Sequence, residues 1–133
     1  MKTFALIIAL FMNSFAFAEN VDFHAAAGKF QIDSQMGICE PLVTIQIWDN
    51  PQHATNPLFS GFNIVGHFRP LIAGFSIETR QPDGSFKSET KPDGYCMDCR
   101  HTIDSVTFVS ERSFIYSHRD FGKSRENRCL YTR

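Results

Sequence analysis

Apolar and polar residues alternate in short stretches along most of the chain, most clearly in VTIQIW at residues 43–48. Three apolar residues there alternate with polar ones, which is the period-two pattern of a β-strand with one face buried. The stretch at residues 58–68 likewise places Phe62, Ile64 and Phe68 on one face. Both stretches therefore predict strands with an inner and an outer face.

Turn-forming residues separate these stretches at short intervals, as in all-β domains. Two Pro-Asp-Gly triplets, at residues 82–84 and 92–94, favour tight turns, and the first predicts a hairpin. Residues 20–28 predict a short lead-in turn that ends at a glycine. Eight strands are predicted in all, at residues 28–33, 43–48, 58–68, 72–81, 85–91, 103–109, 112–118 and 127–132.

Eight short sequential strands predict an all-β, up-and-down eight-stranded barrel, because closure removes the exposed edges of an open sheet. The alternative is a two-sheet sandwich. A barrel that spans a membrane is disfavoured, since it needs strands of about 9–11 residues with an apolar outer band. In the up-and-down barrel the connections after strands one, three, five and seven share one rim, at residues 34–41, 67–71, 92–101 and 119–126.

In architecture the chain resembles the lipocalin-like or calycin barrels. The resemblance lies in a short N-terminal turn, a long connection after strand one, and eight meandering strands. The Gly-x-Trp motif of lipocalins is absent, because GKFQ carries Phe30 and the single tryptophan, Trp48, lies in the second strand. The resemblance therefore implies a barrel and no particular site residues.

The first 18 residues have the pattern of a secretory signal peptide. Lys2 precedes an unbroken apolar stretch at residues 4–12, and Ala16 and Ala18 form an A-x-A cleavage site. The apolar stretch is shorter than the roughly 20 residues of a membrane-spanning helix. We therefore expect residues 1–18 to be removed and residues 19–133 to form one domain, exported to the periplasm or secreted.

All four cysteines lie in the exported part, where oxidising conditions favour disulfides. Four cysteines allow three connectivities. Barrel closure brings strand eight beside strand one, which favours Cys39 with Cys129 and leaves Cys96 with Cys99. The second pair has the spacing of a redox or zinc motif, but no helix follows it to lower a thiol pKa. A disulfide that holds a loop is therefore the favoured interpretation.

Positive charge is concentrated near the C-terminus. The exported part holds 12 bases and 14 acids, a net charge of −2, yet residues 112–133 hold six bases and two acids. The barrel topology places several of these bases on the rim described above, which predicts a basic surface for anions or an acidic protein face. The alternative is that they pair with acids on a solvated surface. The residues of this predicted basic rim are Arg69, Arg100, His101, Arg119, Lys123 and Arg125.

The sequence contains no catalytic motif. Asp22 with His24, or His101 with Asp104, could form acid–base pairs, but no motif positions a nucleophile beside them. A lone histidine on a strand, such as His118, is expected to be a surface group. We therefore expect no enzymatic activity and no cofactor or metal.

These observations predict an exported, non-catalytic binding protein. It would hold a small apolar or anionic ligand in the barrel mouth, or dock a partner at the basic rim, and its interior is either filled by phenylalanines or hollow. An inhibitor of an extracellular hydrolase, using the loop at residues 92–101, is one alternative. A periplasmic thiol–disulfide or metal-handling protein is another. Nucleic-acid binding is disfavoured, because the exported part is acidic and has no recognition motif.

Overall fold

A computed structural model describes residues 21–49, 60–94 and 96–133. The fold is all-β, with eight antiparallel strands in one nearly closed, barrel-shaped sheet. The strands are β1 Gly28–Met36, β2 Leu42–Asp49, β3 Ser60–Gly66, β4 Ala73–Ser76, β5 Phe86–Thr90, β6 Thr102–Ser110, β7 Ser113–Asp120 and β8 Arg125–Thr132.

The sheet is a meander that returns to its first strand. Its order is β4-β3-β2-β1-β8-β7-β6-β5, so β8 pairs with β1 and the sheet edges are β4 and β5. An isolated bridge between Arg80 and Phe86 links the chain after β4 to the start of β5. The prediction of an up-and-down barrel with eight strands is confirmed, and the sandwich is not adopted.

The hairpin expected around residues 82–84 is reduced to its turn. A 3-10 turn at Ile77–Thr79, in which the Thr79 hydroxyl donates to the Ser76 carbonyl at 2.7 Å, ends β4 early. The tight turn itself forms, with Gly84 at a φ of 85° and the Ser85 amide donating to the Asp83 carboxylate. Because the chain leaves the sheet at this 3-10 turn, β4 does not form a ladder with β5.

Strand β3 is shorter than predicted, which changes the position of Phe68. Phe62 and Ile64 are buried on the inner face as expected. The Gly66 amide donates to the Arg69 carbonyl at 2.8 Å, so the chain turns before Phe68, whose side chain is 75% exposed. The prediction that Phe68 shares the buried face is therefore wrong. The first two residues of the predicted strand, 58 and 59, lie outside the described residues.

The connection between β1 and β2 is also shorter than expected. Strand β1 continues to Met36, which is outside the stretch predicted from the sequence, and only residues 37–41 join it to β2. The long connection expected after strand one is therefore absent. A bulge between Ile32 and Ser34 lets β1 follow β8 to this rim.

One end of the barrel is filled by aromatic side chains and closed by the N-terminal turn. The Ala26 amide donates to the Phe23 carbonyl at 3.1 Å, which confirms the lead-in turn. The Arg133 guanidinium donates to the carbonyls of Ala25 and Ala27 and lies over the Phe30 ring. The buried aromatic residues are Phe23, Phe30, Phe62, Phe75, Phe86, Phe108, Phe114, Tyr116 and Tyr131.

The inner face changes from apolar to polar along β7. Its alternate residues from the filled end are Phe114, Tyr116, His118 and Asp120. The residues opposite them on β6 and β8 follow the same trend, with Phe108 and Tyr131 first and then Asp104 and Asn127. The barrel is therefore filled at one end and hollow at the other. Within residues 21–49, 60–94 and 96–133, no helix is long and apolar enough to cross a membrane.

Candidate ligand-binding site

The hollow end of the barrel is an open cup of about 500 Å³. Strands β6, β7 and β8 form one wall, and the connections β1–β2 and β3–β4 form the opposite wall. These elements meet at the rim that the strand count predicted. The lining residues are Ile38, Cys39, Glu40, Pro41, Phe68, Arg69, Ile72, Asp104, Tyr116, His118, Asp120, Lys123, Arg125, Asn127, Cys129 and Tyr131.

The β1–β2 connection is tied to the cup by a covalent bond and a hydrogen bond. Cys39 forms a disulfide with Cys129 of β8, with their Cα atoms 5.9 Å apart. Next to it, the Tyr131 hydroxyl donates to the Glu40 carbonyl at 2.8 Å. The predicted pairing is confirmed, and it holds one wall of the cup against the other.

Three side chains on neighbouring strands form a hydrogen-bonded cluster inside the cup. The Tyr116 hydroxyl donates to Asp104 Oδ1 at 2.5 Å, and His118 Nδ1 lies 2.7 Å from the same oxygen. Burial raises the pKa of Tyr116 well above its usual range, and the charge and hydrogen bond of Asp104 add to this. The phenol is therefore protonated at neutral pH and acts as a donor to the carboxylate.

The other two carboxylates of the cup also accept hydrogen bonds from the protein. The Phe68 amide donates to Glu40 Oε2 at 3.4 Å, and the absence of a Cβ at Gly66 leaves space for this carboxylate. Asp120 Oδ1 accepts from the Gly122 amide at 3.0 Å, and its Oδ2 lies 3.7 Å from a guanidinium nitrogen of Arg100. All three acids in the cup thus have donors within the protein.

The arginine and lysine side chains that line the cup have no oppositely charged partner among the described residues. In the part of the chain that the structure describes, Arg69, Lys123 and Arg125 have no carboxylate oxygen within 4.0 Å. Arg69 lies near enough to Tyr116 for its charge to act on that phenol, against the larger effects that raise its pKa. The cup is therefore lined by three cations without a carboxylate partner among the described residues and by three carboxylates that accept hydrogen bonds from the protein.

The six residues of the predicted basic rim occupy two different places. Arg69, Lys123 and Arg125 line the cup, as described above. His101 stacks on Phe121 with ring centroids 4.0 Å apart, and the Arg119 guanidinium lies 4.6 Å from the centroid of the same ring. The six bases thus do not share one surface, because the structure places three in the cup and Arg100, His101 and Arg119 beside it.

The acid–base pairs expected from the sequence form only in part. Asp22 and His24 do pair, with Oδ1 2.9 Å from Nδ1, on the exposed lead-in turn. His101 does not pair with Asp104, because His101 Nε2 contacts Glu89 Oε1 at 2.8 Å. Among the described residues that line the cup, no serine, threonine or free thiol lies beside its Asp–His pair, and the hydroxyl that contacts Asp104 is that of Tyr116.

Cys96 and Cys99 form the second predicted disulfide, with their Cα atoms 5.3 Å apart. The Cys96 amide donates to the Asp93 carboxylate at 2.9 Å, so the bridge closes a turn after β5, away from the cup lining. Both sulfurs are bonded to each other and neither is a thiolate ligand. No group of three His, Cys, Asp or Glu side chains within the described ranges is arranged to hold a metal ion.

Asp104, Tyr116 and His118 belong to the site, although the sequence did not predict them as site residues. The signal that could have found them is the alternation in SFIYSHRD, where the inward residues become polar toward the rim. No family model matches the chain, and no curated protein or solved structure matches it either.

Proposed function

We propose that this protein is an exported, non-catalytic binding protein that holds the anionic group of a small ligand in the cup. The observation that carries the proposal is the contrast between the two kinds of charge. Glu40, Asp104 and Asp120 accept hydrogen bonds from the protein, whereas Arg69, Lys123 and Arg125 have no carboxylate partner among the described residues. The bases are therefore available to a carboxylate or phosphate.

The cup is also held in place before a ligand arrives. The Cys39–Cys129 disulfide and the Tyr131 hydrogen bond fix one wall, and the Tyr116–Asp104 hydrogen bond crosslinks the strands of the other. A site that is already ordered loses less conformational entropy on binding. The two disulfides also support export, which the signal-peptide pattern at residues 1–18 predicts.

Binding is preferred to catalysis on the composition of the cup. The Asp104–His118 pair has no serine, threonine or free thiol beside it among the described lining residues, and the nearby Tyr116 hydroxyl is already a hydrogen-bond donor to Asp104. The inhibitor alternative would use the disulfide-held loop at residues 92–101, where Met97 is exposed, and no described residue of that loop lines the cup. Substitutions in the cup should therefore weaken ligand binding without affecting inhibition by the loop, so they distinguish the two functions.

Thermal unfolding in the presence of anions tests the proposal. A ligand that binds only the folded state raises Tm with its concentration. We expect inorganic phosphate and citrate, compared with chloride at equal ionic strength, to raise the Tm of the wild-type protein. The double variant Arg69→Gln/Arg125→Gln should lose most of this increase, because two of the three cations of the cup are removed.

Arg119→Gln is the matched control, since Arg119 lies on β7 near the same rim but stacks on Phe121 outside the cup. It should keep the wild-type increase in Tm. Equal increases in the double variant and in the wild type would refute binding in the cup, and equal losses in the double variant and in Arg119→Gln would indicate a nonspecific charge effect.

A further inference from the structure

The two walls of the cup differ in polarity. The wall from β6, β7 and β8 carries charged and polar side chains, including Lys123 and Arg125. The opposite wall, from the β1–β2 and β3–β4 connections, carries Glu40 and Arg69 but also supplies all four apolar side chains of the lining apart from the disulfide, namely Ile38, Pro41, Phe68 and Ile72. The strand order places these walls on opposite halves of the barrel.

Exposed apolar side chains are concentrated at the same end of the molecule. Eight large apolar side chains are exposed in the described part of the chain, and only Val109 lies at the filled end. Ile38 and Phe68, which line the cup, are 84% and 75% exposed. The others at or beside the rim are Met36, Leu42, Leu71, Met97 and Phe121. Exposed apolar surface beside a cavity is a feature of ligand-binding grooves, and Ile38 and Phe68 lie in the lining of the cup itself.

We propose that the ligand is an anionic amphiphile, whose charged group contacts the cations of the cup and whose hydrocarbon part lies against Ile38 and Phe68. This inference rests on the proposed function and adds the chemical class of the ligand. A purely polar anion would leave the side chains of Ile38 and Phe68 in water, and a purely apolar ligand would bury the cations of the cup without a carboxylate partner. A ligand with both parts satisfies both walls.

The hydrocarbon part must leave the cup across the rim, because the filled end of the barrel is closed. Phe30, Phe62 and Phe114 occupy the interior below the cup, each no more than 2% exposed. A chain attached to the anionic group therefore has only the open mouth as an exit. There the side chains of Ile38 and Phe68 offer it apolar contact.

A pair of probes that differ only in the hydrocarbon tests this inference. We would measure the affinity of inorganic phosphate and of hexyl phosphate by the concentration dependence of Tm. Each methylene that is fully buried strengthens binding by up to about fourfold. We therefore expect hexyl phosphate to bind at least about tenfold more tightly than phosphate.

Variants of the apolar wall separate this inference from the proposed function. Ile38→Ser/Phe68→Ser should reduce the affinity for hexyl phosphate to that for phosphate and leave phosphate binding unchanged. Val109→Ser, an exposed apolar residue at the opposite end, should change neither affinity. Far-ultraviolet circular dichroism and Tm without ligand would establish that each variant is folded.

The two proposals would fail in different ways. Equal affinities for phosphate and hexyl phosphate would overturn the inference that the ligand is an amphiphile and leave the anion site in place. Absence of binding by both probes would overturn the proposed function as well. Tight binding of hexyl phosphate that survives in Arg69→Gln/Arg125→Gln would refute the contribution of the cations and overturn both proposals.

A second arm identifies the source of the amphiphile. Cosedimentation with vesicles of phosphatidylcholine containing phosphatidylglycerol, and not with phosphatidylcholine alone, would support a lipid in a bilayer. Tight hexyl phosphate binding without cosedimentation would support a monomeric amphiphile in solution. If the protein binds neither vesicles nor hexyl phosphate but forms dimers that Ile38→Ser/Phe68→Ser abolishes, the apolar side chains serve self-association and the inference is overturned.

Discussion

Tyr116 and Tyr131 connect the aromatic core of the barrel with the polar cup. Each is buried among apolar side chains, yet its hydroxyl donates a hydrogen bond at the cup, to Asp104 and to the Glu40 carbonyl. Burial raises the pKa of both phenols, for Tyr131 to about 12 from an ordinary value near 10. Both hydroxyl groups are therefore structural donors throughout the neutral range.

These pKa values predict a loss of stability at alkaline pH. Below about pH 10 both phenols are protonated in the folded and unfolded states, so their contribution is complete. Between about pH 10 and 12 the unfolded chain releases these protons while the folded protein retains both, so the free energy of unfolding falls as the pH rises. Urea unfolding across this range should give a shallower decline for Tyr131→Phe than for the wild type.

At neutral pH the same substitution should destabilise the protein by about 0.5–1.5 kcal/mol, because it removes the hydrogen bond to the Glu40 carbonyl. Lysine titration affects both proteins alike and does not account for a difference in slope. Parallel declines for wild type and Tyr131→Phe would contradict the raised pKa.

His118 does not lie where the sequence predicted it. As a single strand histidine it was expected at the surface, whereas it lies in the cup beside Asp104. His118 lies two residues after Tyr116 and four after Phe114, so strand alternation places it on the same inner face, and this could have been predicted from the sequence. The position of Asp104 opposite His118 could not be predicted, because the register of β6 and β7 depends on the bulge between Phe108 and Ser110.

At the scale of elements, the strands were predictable because alternation records which residues face the core. The ends of strands were not, since hydrogen bonds local to each turn decide them. The Gly66 amide turns the chain before Phe68, and the 3-10 turn at Ile77–Thr79 ends β4. The disulfides were predictable because the order of up and down strands alone brings Cys129 of β8 beside the β1–β2 connection.

The two disulfides should differ in their contribution to stability. Cys39 and Cys129 are 90 residues apart, and the loop-entropy relation assigns such a crosslink about 4–5 kcal/mol, against about 2 kcal/mol for the three-residue separation of Cys96 and Cys99. Guanidinium unfolding of Cys39→Ala/Cys129→Ala and of Cys96→Ala/Cys99→Ala, without reductant, would measure both.

The same pair of variants reports on the cup. Removing the Cys39–Cys129 bond releases one wall and should weaken the stabilisation by phosphate, whereas removing Cys96–Cys99 should leave it unchanged, because that loop does not line the cup. Equal destabilisation by the two double variants, or equal effects on phosphate binding, would contradict these assignments.

At the scale of the whole molecule, the barrel has a filled end and a cup. The sequence left open whether the phenylalanines fill the interior, because the answer depends on where each strand begins relative to its neighbours. The register places Phe108, Phe114 and Tyr131 side by side at one end and leaves the polar residues for the other. The sequence predicted that the six bases lie near one rim. Which of them line the cup and which lie on the outer surface could not be predicted, because this depends on where their side chains point.

The proposed binding of an anion between the walls of the cup can be tested by a titration that is resolved by residue. We would follow the backbone amide chemical shifts of the protein as inorganic phosphate replaces chloride at constant ionic strength. We expect saturable shifts at residues 37–41, 67–72 and 121–127, with none at residues 80–86 and 110–113 at the filled end. Shifts confined to the filled end, or spread without saturation over all exposed bases, would contradict the proposal.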